Sequence, residues 1–291
     1  MLDQVDAGFN LWERYKRWRE SRAGKASDNV ASRFVRLFES HGIARNQIPR
    51  FFGHSLKFAD VKNDDVLLEA LDSQMVSDAA ALFGVKPEWL ECADSQIYKP
   101  HDFYKKPGEF REFLEGLIAT GRAISGFLFV ADTAPKSFDL DGLIVLEEEI
   151  DHLDGEPVYR YHLCNNWLFS YWKSRAYLTA CVSIAWEREV HLNGRKVPFE
   201  FLERYSEGEE LIGMELSKRR SPPGGLWHPE DMALDPEKFI ENLDEGPFGQ
   251  LSGIELWLGL QAEGFGISES FESVYRGRTF EEKLLELKKQ S

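Results

Sequence analysis

The sequence predicts an α+β protein in two parts, an all-α N-terminal domain followed by an α+β domain with a small sheet and a long covering helix. Three observations carry this expectation. Between Ser32 and Cys92, short apolar-periodic segments follow one another across turns of a few residues, as in a compact helical unit. From residue 126 to residue 163 the apolar runs are short and strand-like, and residues 167–186 then sustain one long helical pattern. The chain of 291 residues is long enough for two cores, with expected limits of 1–95, a linker at 96–108 that holds Pro100 and Pro107, and 109–291.

In chain order, Leu11, Trp12, Tyr15 and Trp18 fall at helical spacing with Arg14, Lys16, Arg17, Arg19 and Arg22 around them, a basic amphipathic helix. Phe34, Val35, Leu37 and Phe38 mark a second helix that Gly42 ends. Short helical pieces are expected at 45–52, 55–61, 66–71, 75–83 and 87–90, with a core of Phe34, Phe38, Ile48, Leu67, Leu71, Leu82, Val85 and Trp89. Residues 109–118 read as a helix, and 126–131, 143–149 and 158–163 as strands. Asn193-Gly194 suggests a tight hairpin turn between two further strands, and residues 222–225, Pro-Pro-Gly-Gly, break the chain again. Residues 248–260 and 280–289 close it as helices, the last with Lys288 and Lys289 at its favourable end.

Composition narrows the function classes. Hydrophobic residues at 43% and aromatics at 13% supply ample core material. No apolar run reaches membrane-spanning length, and Asp3 and Asp6 stand where a signal peptide carries positive charge, so a cytoplasmic protein with no membrane partner is expected. Three cysteines, Cys92, Cys164 and Cys181, at wide spacing fit reduced thiols. The net charge of −15 is uneven: Met1 to Lys57 holds 11 Lys and Arg against 6 Asp and Glu, so the acidic excess lies in the remainder. Two parts of the chain then face different partners.

The closing stretch Ala79-Ala80-Ala81-Leu82-Phe83-Gly84-Val85, followed by Pro87-Glu88-Trp89-Leu90, resembles the last two helices of the lambda-repressor-like (Cro-type) helix-turn-helix domain. Upstream, Gly42-Ile43, Gln47-Ile48 and Gly53 match the approach to the helix-turn-helix proper. The resemblance implies a recognition helix over 55–63, with Arg45, Gln47 and Arg50 on phosphate and Ser55, Lys57, Lys62 and Asn63 on base edges. Asp60, Asp64 and Asp65 depart from that pattern, and Pro49 fits only in the first turn of its helix.

Other constellations are sparser. His162 and Cys164 share a strand face, with His152 ten residues earlier, yet no CxxC or HxxxH supplies further ligands; no metal and no cofactor is expected. Glu147, Glu148, Glu149 and Asp151 read as a solvated strand end rather than an acid-base pair. On the long helix Tyr171, Trp172 and Arg175 share a face, either an aromatic-lined ligand pocket with a guanidinium for an anion or core packing. No phosphate loop or nucleophile elbow appears, so an enzyme is not expected.

The functional expectation is a DNA-associated transcriptional regulator, a homodimer or a binder of a protein partner through its acidic region, which senses a ligand or recruits that partner. The alternative is a protein-interaction module that does not bind DNA and uses a degenerate helix-turn-helix for docking.

Overall fold

A computed structural model describes residues 28–133, 141–217, 224–267 and 277–290. The expected basic helix around Leu11, Trp12, Tyr15 and Trp18 lies outside them. Helix α1 (Val30–Ser40) begins at Asn29, whose side chain accepts from the Ser32 N–H while the Ser32 hydroxyl accepts from the Asn29 N–H, a reciprocal cap. One stripe of α1 buries Phe34, Leu37 and Phe38, and Gly42, at φ 83°, turns the chain away. A 3-10 turn (Arg45–Gln47) leads into α2 (Ile48–Phe52), with Pro49 in its first turn, where a missing N–H costs nothing.

The helix expected over 55–63 is absent, and turns take its place. Gly53, His54 and Ser55 adopt φ of 74°, 51° and 62°, a left-handed run that no right-handed helix accommodates. The Asp60 carboxylate accepts from the Lys57 N–H at 2.8 Å and closes the next turn. Helix α3 (Asp64–Ala70) is capped by Asn63, and α4 (Ser73–Phe83) by Asp72, with Gly84 at φ 69° ending it; α5 (Pro87–Leu90) follows.

Phe34, Phe38, Ile48, Leu67, Val85 and Trp89 are buried and Leu71 and Leu82 half-buried, the expected core. Arg33 and Arg36 place their guanidinium carbons 5.7 and 5.6 Å from the Trp89 ring, capping its outer side.

The stretch 96–108 is integrated rather than bare linker. Ile97, Tyr98 and Phe103 are buried, the N–H groups of Ile97 and Tyr98 both bond the Gly208 carbonyl, and His101–Asp102 forms strand β1. Then come α6 (Pro107–Ile118), β2 (Ile124–Ala131), β3 (Gly142–Leu153) and β4 (Glu156–Trp167). The sheet is larger than the sequence suggests, six strands in the order β1-β4-β3-β2-β5-β6, with β5 (Leu192–Val197) parallel to β2 and β6 (Gly225–Trp227) on the edge. The three expected strands pair as neighbours, Phe127 opposite Val145 and Leu146 opposite His162.

Helix α7 (Trp172–Glu187) starts five residues later than expected. Trp167 ends β4, and the Ser174 hydroxyl accepts from the Leu168 N–H across the intervening turn. Asn193-Gly194 is no hairpin turn but the middle of β5. A glycine is needed there because the Trp227 indole lies over it: an added Cβ would meet Nε1 at 2.7 Å, with the Trp227 backbone oxygen nearer still.

Alternation along the strands divides the molecule into layers. Phe127, Phe129, Val145, Tyr161 and Leu163 face the helical unit together with α8 (Phe199–Tyr205) and α9 (Gly213–Leu216), in one apolar core that includes Phe38 and Phe83. Leu128, Ile144, Leu146 and Cys164 face α6 and α7. Outside α7, Ala176 and Ala180 meet Phe239, Trp257 and Phe280 from α11 (Pro236–Ile240), α12 (Gly246–Leu260) and α13 (Phe280–Gln290), reached after the short α10 (Asp231–Leu234). Covered on both sides, α7 is buried on nearly all faces from Ser174 to Ala185, where small and apolar residues surround the one charged side chain, Arg175.

Candidate functional site

The residues expected on phosphate are held by the chain's own acceptors. Arg45 donates from Nε to the Val61 carbonyl at 2.6 Å and from Nη1 to Asp64 at 2.7 Å, tying the 3-10 turn to the start of α3. Arg50 and Gln47 both donate to Asp154 Oδ2, at 2.7 and 3.1 Å, at the tip of the β3–β4 hairpin. The hydrogen bond from Arg50 holds the Asp154 carboxyl below its usual range. Of those expected on base edges, Asn63 uses its side chain as the α3 cap, while Ser55, Lys57 and Lys62 are exposed on the turns. Between them Phe58 is 71% exposed.

The acidic run on β3 departs most from expectation. Glu148 is not a solvated strand end: it is 1% exposed. Its carboxylate accepts from Arg122 Nη1 at 2.6 Å, Arg160 Nη1 at 3.3 Å and His162 Nε2 at 3.0 Å. Burial pushes Glu148 up, but the bonds from Arg122 and His162 and the charge of Arg160 outweigh it and hold the group below the usual glutamate range. Arg160 continues through Nε to the Leu82 carbonyl at 2.8 Å, so the cluster fastens the C-terminal end of α4 to the sheet. Burial lowers His162, which is therefore neutral at pH 7, and a carboxylate saturated by three donors is a cross-link rather than a proton acceptor.

Glu147, on the opposite face, meets apolar surroundings and one donor, Ser125 Oγ at 3.4 Å; burial pushes it up to about 7. His162 and Cys164 do share a strand face, with the Cys164 thiol pushed up by complete burial. Among the described residues no group of three or more His, Cys, Asp or Glu is arranged to hold a metal ion.

Arg175 is 1% exposed. Its guanidinium donates to the carbonyls of Phe169 (2.8 Å), Phe239 (2.9 Å) and Glu241 (3.3 Å). The ring beneath it belongs to Phe169, 3.6 Å from centroid to Cζ, and not to Tyr171 or Trp172 as the shared helix face suggested. Asp141, which accepts from the Phe169 N–H, is the nearby counter-charge; burial raises Asp141 to about 6 despite Arg175. Trp172 turns to Glu245, its Nε1 donating at 3.1 Å, and Lys173 rather than Arg175 lies over its ring. A helix beginning at Trp167 would not bring Phe169 onto the face of Arg175; the turn between the end of β4 at Trp167 and the start of α7 at Trp172 swings this ring under the guanidinium.

No helix of the described residues is long and apolar enough to cross a membrane. Compared with family models, curated proteins and solved structures, the chain matches none.

Proposed function

We propose that the chain is a partner-binding protein without catalytic chemistry, whose helical unit serves as a docking module and not as a reader of DNA. The observation that carries this reading is the convergence of Arg50 and Gln47 on Asp154, with Arg45 on Asp64: groups suited to phosphate are committed to carboxylates of the same chain. The turns at 53–63 support it, since a left-handed run gives no rod to lie in a major groove and instead presents Phe58 to solvent.

A second reading, the DNA-associated regulator, draws on the exposure of Ser55, Lys57 and Lys62 along one segment. The two separate in one titration of the full chain and its Asp154→Ala variant against duplex DNA, at low and physiological salt. The docking reading expects no retardation by either protein. Two free lysines would instead give a log-log salt slope of about −2, and release of Arg50 would steepen it by about one in the variant. Retardation by the variant alone would make Asp154 an intramolecular block and overturn the docking reading.

A further inference from the structure

At the β5–β6 edge of the sheet, a cleft of about 200 Å³ opens between the end of α7 and the residues after β6. It is lined by Trp186, His191, Asn193, Trp227, His228 and Glu230, with Gly194 in its wall. The described lining holds two indoles, two imidazoles and one carboxylate, and neither lysine nor arginine. A larger groove of about 470 Å³ at the start of α6 carries Lys105 and Lys106 beside Glu109, Glu255 and Glu263, so it selects neither sign of charge. The smaller cleft does select, because its one carboxylate, Glu230, is offset by no lysine or arginine of the described lining, and indoles are the side chains best suited to hold a cation.

Its walls are set before any ligand arrives. Trp227 packs edge-on against Phe169 with centroids 5.7 Å apart, and it lies over Gly194 where no side chain intervenes. Trp186, on the last turn of α7, meets the His191 ring at 5.6 Å and 72°. Glu230 Oε1 lies 3.4 Å from His228 Nδ1, which keeps the carboxylate at the cleft. The volume is below the roughly 300 Å³ at which pockets for drug-sized ligands begin, so it suits a head group rather than a whole metabolite.

We infer that this cleft between Trp186 and Trp227 binds a quaternary ammonium head group, held by cation–π contact with the indoles and by the charge of Glu230. The site lies apart from Arg50 and Asp154 and is independent of whether the helical unit meets DNA or protein.

The test is calorimetric titration of the full chain with choline, free trimethyllysine, the neutral isostere 3,3-dimethyl-1-butanol, and acetate. Choline or trimethyllysine should bind with Kd of about 1 mM or tighter, and the stronger of the two identifies the source of the head group. The neutral isostere should bind at least about fivefold more weakly. Glu230→Gln, which keeps size and hydrogen bonding, should weaken the cation about threefold or more, and Trp186→Leu should weaken it about fivefold or more. The melting curve of each variant separates lost binding from lost folding, and Glu230→Gln decides should Trp186→Leu unfold. Equal binding of choline and its isostere, preference for acetate, no binding at millimolar concentration, or a folded Glu230→Gln that binds as the parent does would each overturn the assignment.

Discussion

Glu147 gives the sharpest stability prediction because its neighbours act on it in known directions. It stands on β3 opposite Ser125 of β2 and Tyr161 of β4, on the face that packs against the helical unit. Burial raises its pKa from 4.5 to about 7, with the Ser125 hydrogen bond opposing. The unfolded chain releases this proton near 4.5 while the folded chain keeps it until about 7. Between those values the folded state binds more protons, so stability falls as pH rises; the contribution is complete below 4.5 and gone above 7. At about 1.4 kcal/mol per pH unit the loss is about 3 kcal/mol.

Glu147→Gln keeps the shape, still accepts from Ser125 and does not titrate. The variant should match the parent below about pH 4.5 and exceed its stability by up to about 3 kcal/mol above about pH 8, a rise in Tm of roughly 6 to 10 °C for a chain of this size. The assay is thermal and urea unfolding of both proteins across that range. Taking the difference between them cancels the titration of Glu148, Asp141 and every other shared group. A difference that does not change with pH would refute the argument.

Substitutions at three further positions test the packing. Arg175→Met leaves the carbonyls of Phe169, Phe239 and Glu241 without their donor and Asp141 without its counter-charge; it should cost about 3 to 5 kcal/mol in urea unfolding, with Arg175→Lys recovering less than half for want of the planar fork. Trp89→Ala empties a site that is 2% exposed, and about 3 to 5 kcal/mol should be lost; a variant that melts like the parent would remove Trp89 from the core. Gly194→Ala should cost about 1 to 3 kcal/mol by driving Trp227 off β5, seen as a shifted indole resonance, and an unmoved indole would contradict the close approach.

The parts of the fold legible in the sequence are those whose signals are local. Asn29, Asp72 and Gly84 bound their helices by capping chemistry written within a few residues, and Phe127, Val145 and Tyr161 declare their strands by β-branched and aromatic character. What was not legible depends on partners distant in sequence. Glu148 looks like a solvated end until Arg122, Arg160 and His162 arrive from a loop and a neighbouring strand. Asn193-Gly194 carries the local signature of a hairpin, yet Gly194 answers to Trp227, which belongs to another strand. Residues 55–63 have helical composition, but Gly53 leads His54 and Ser55 into left-handed backbone that a propensity scale does not weigh.

The same distinction bears on the positive charge near the N-terminus. Between residues 28 and 57 the cations are Arg33, Arg36, Arg45, Arg50 and Lys57. Arg33 and Arg36 pair with Asp28, Arg45 with Asp64 and Arg50 with Asp154, which leaves Lys57 exposed. The local excess therefore reads less as a phosphate surface than as one side of pairings whose other side is spread along the chain. Residues 1–27 hold six more Lys and Arg against four Asp and Glu. Should the full chain retard DNA at low salt with a slope steeper than about −2, Lys57 and Lys62 alone fall short, and the further contacts belong to residues 1–27. A chain of residues 28–291, shown by its melting curve to be folded, should then bind with a slope no steeper than about −2. If that shorter chain retained the steeper slope, Arg33, Arg36, Arg45 or Arg50 would have to leave its carboxylate for phosphate, and the argument that these groups are committed within the fold would fail.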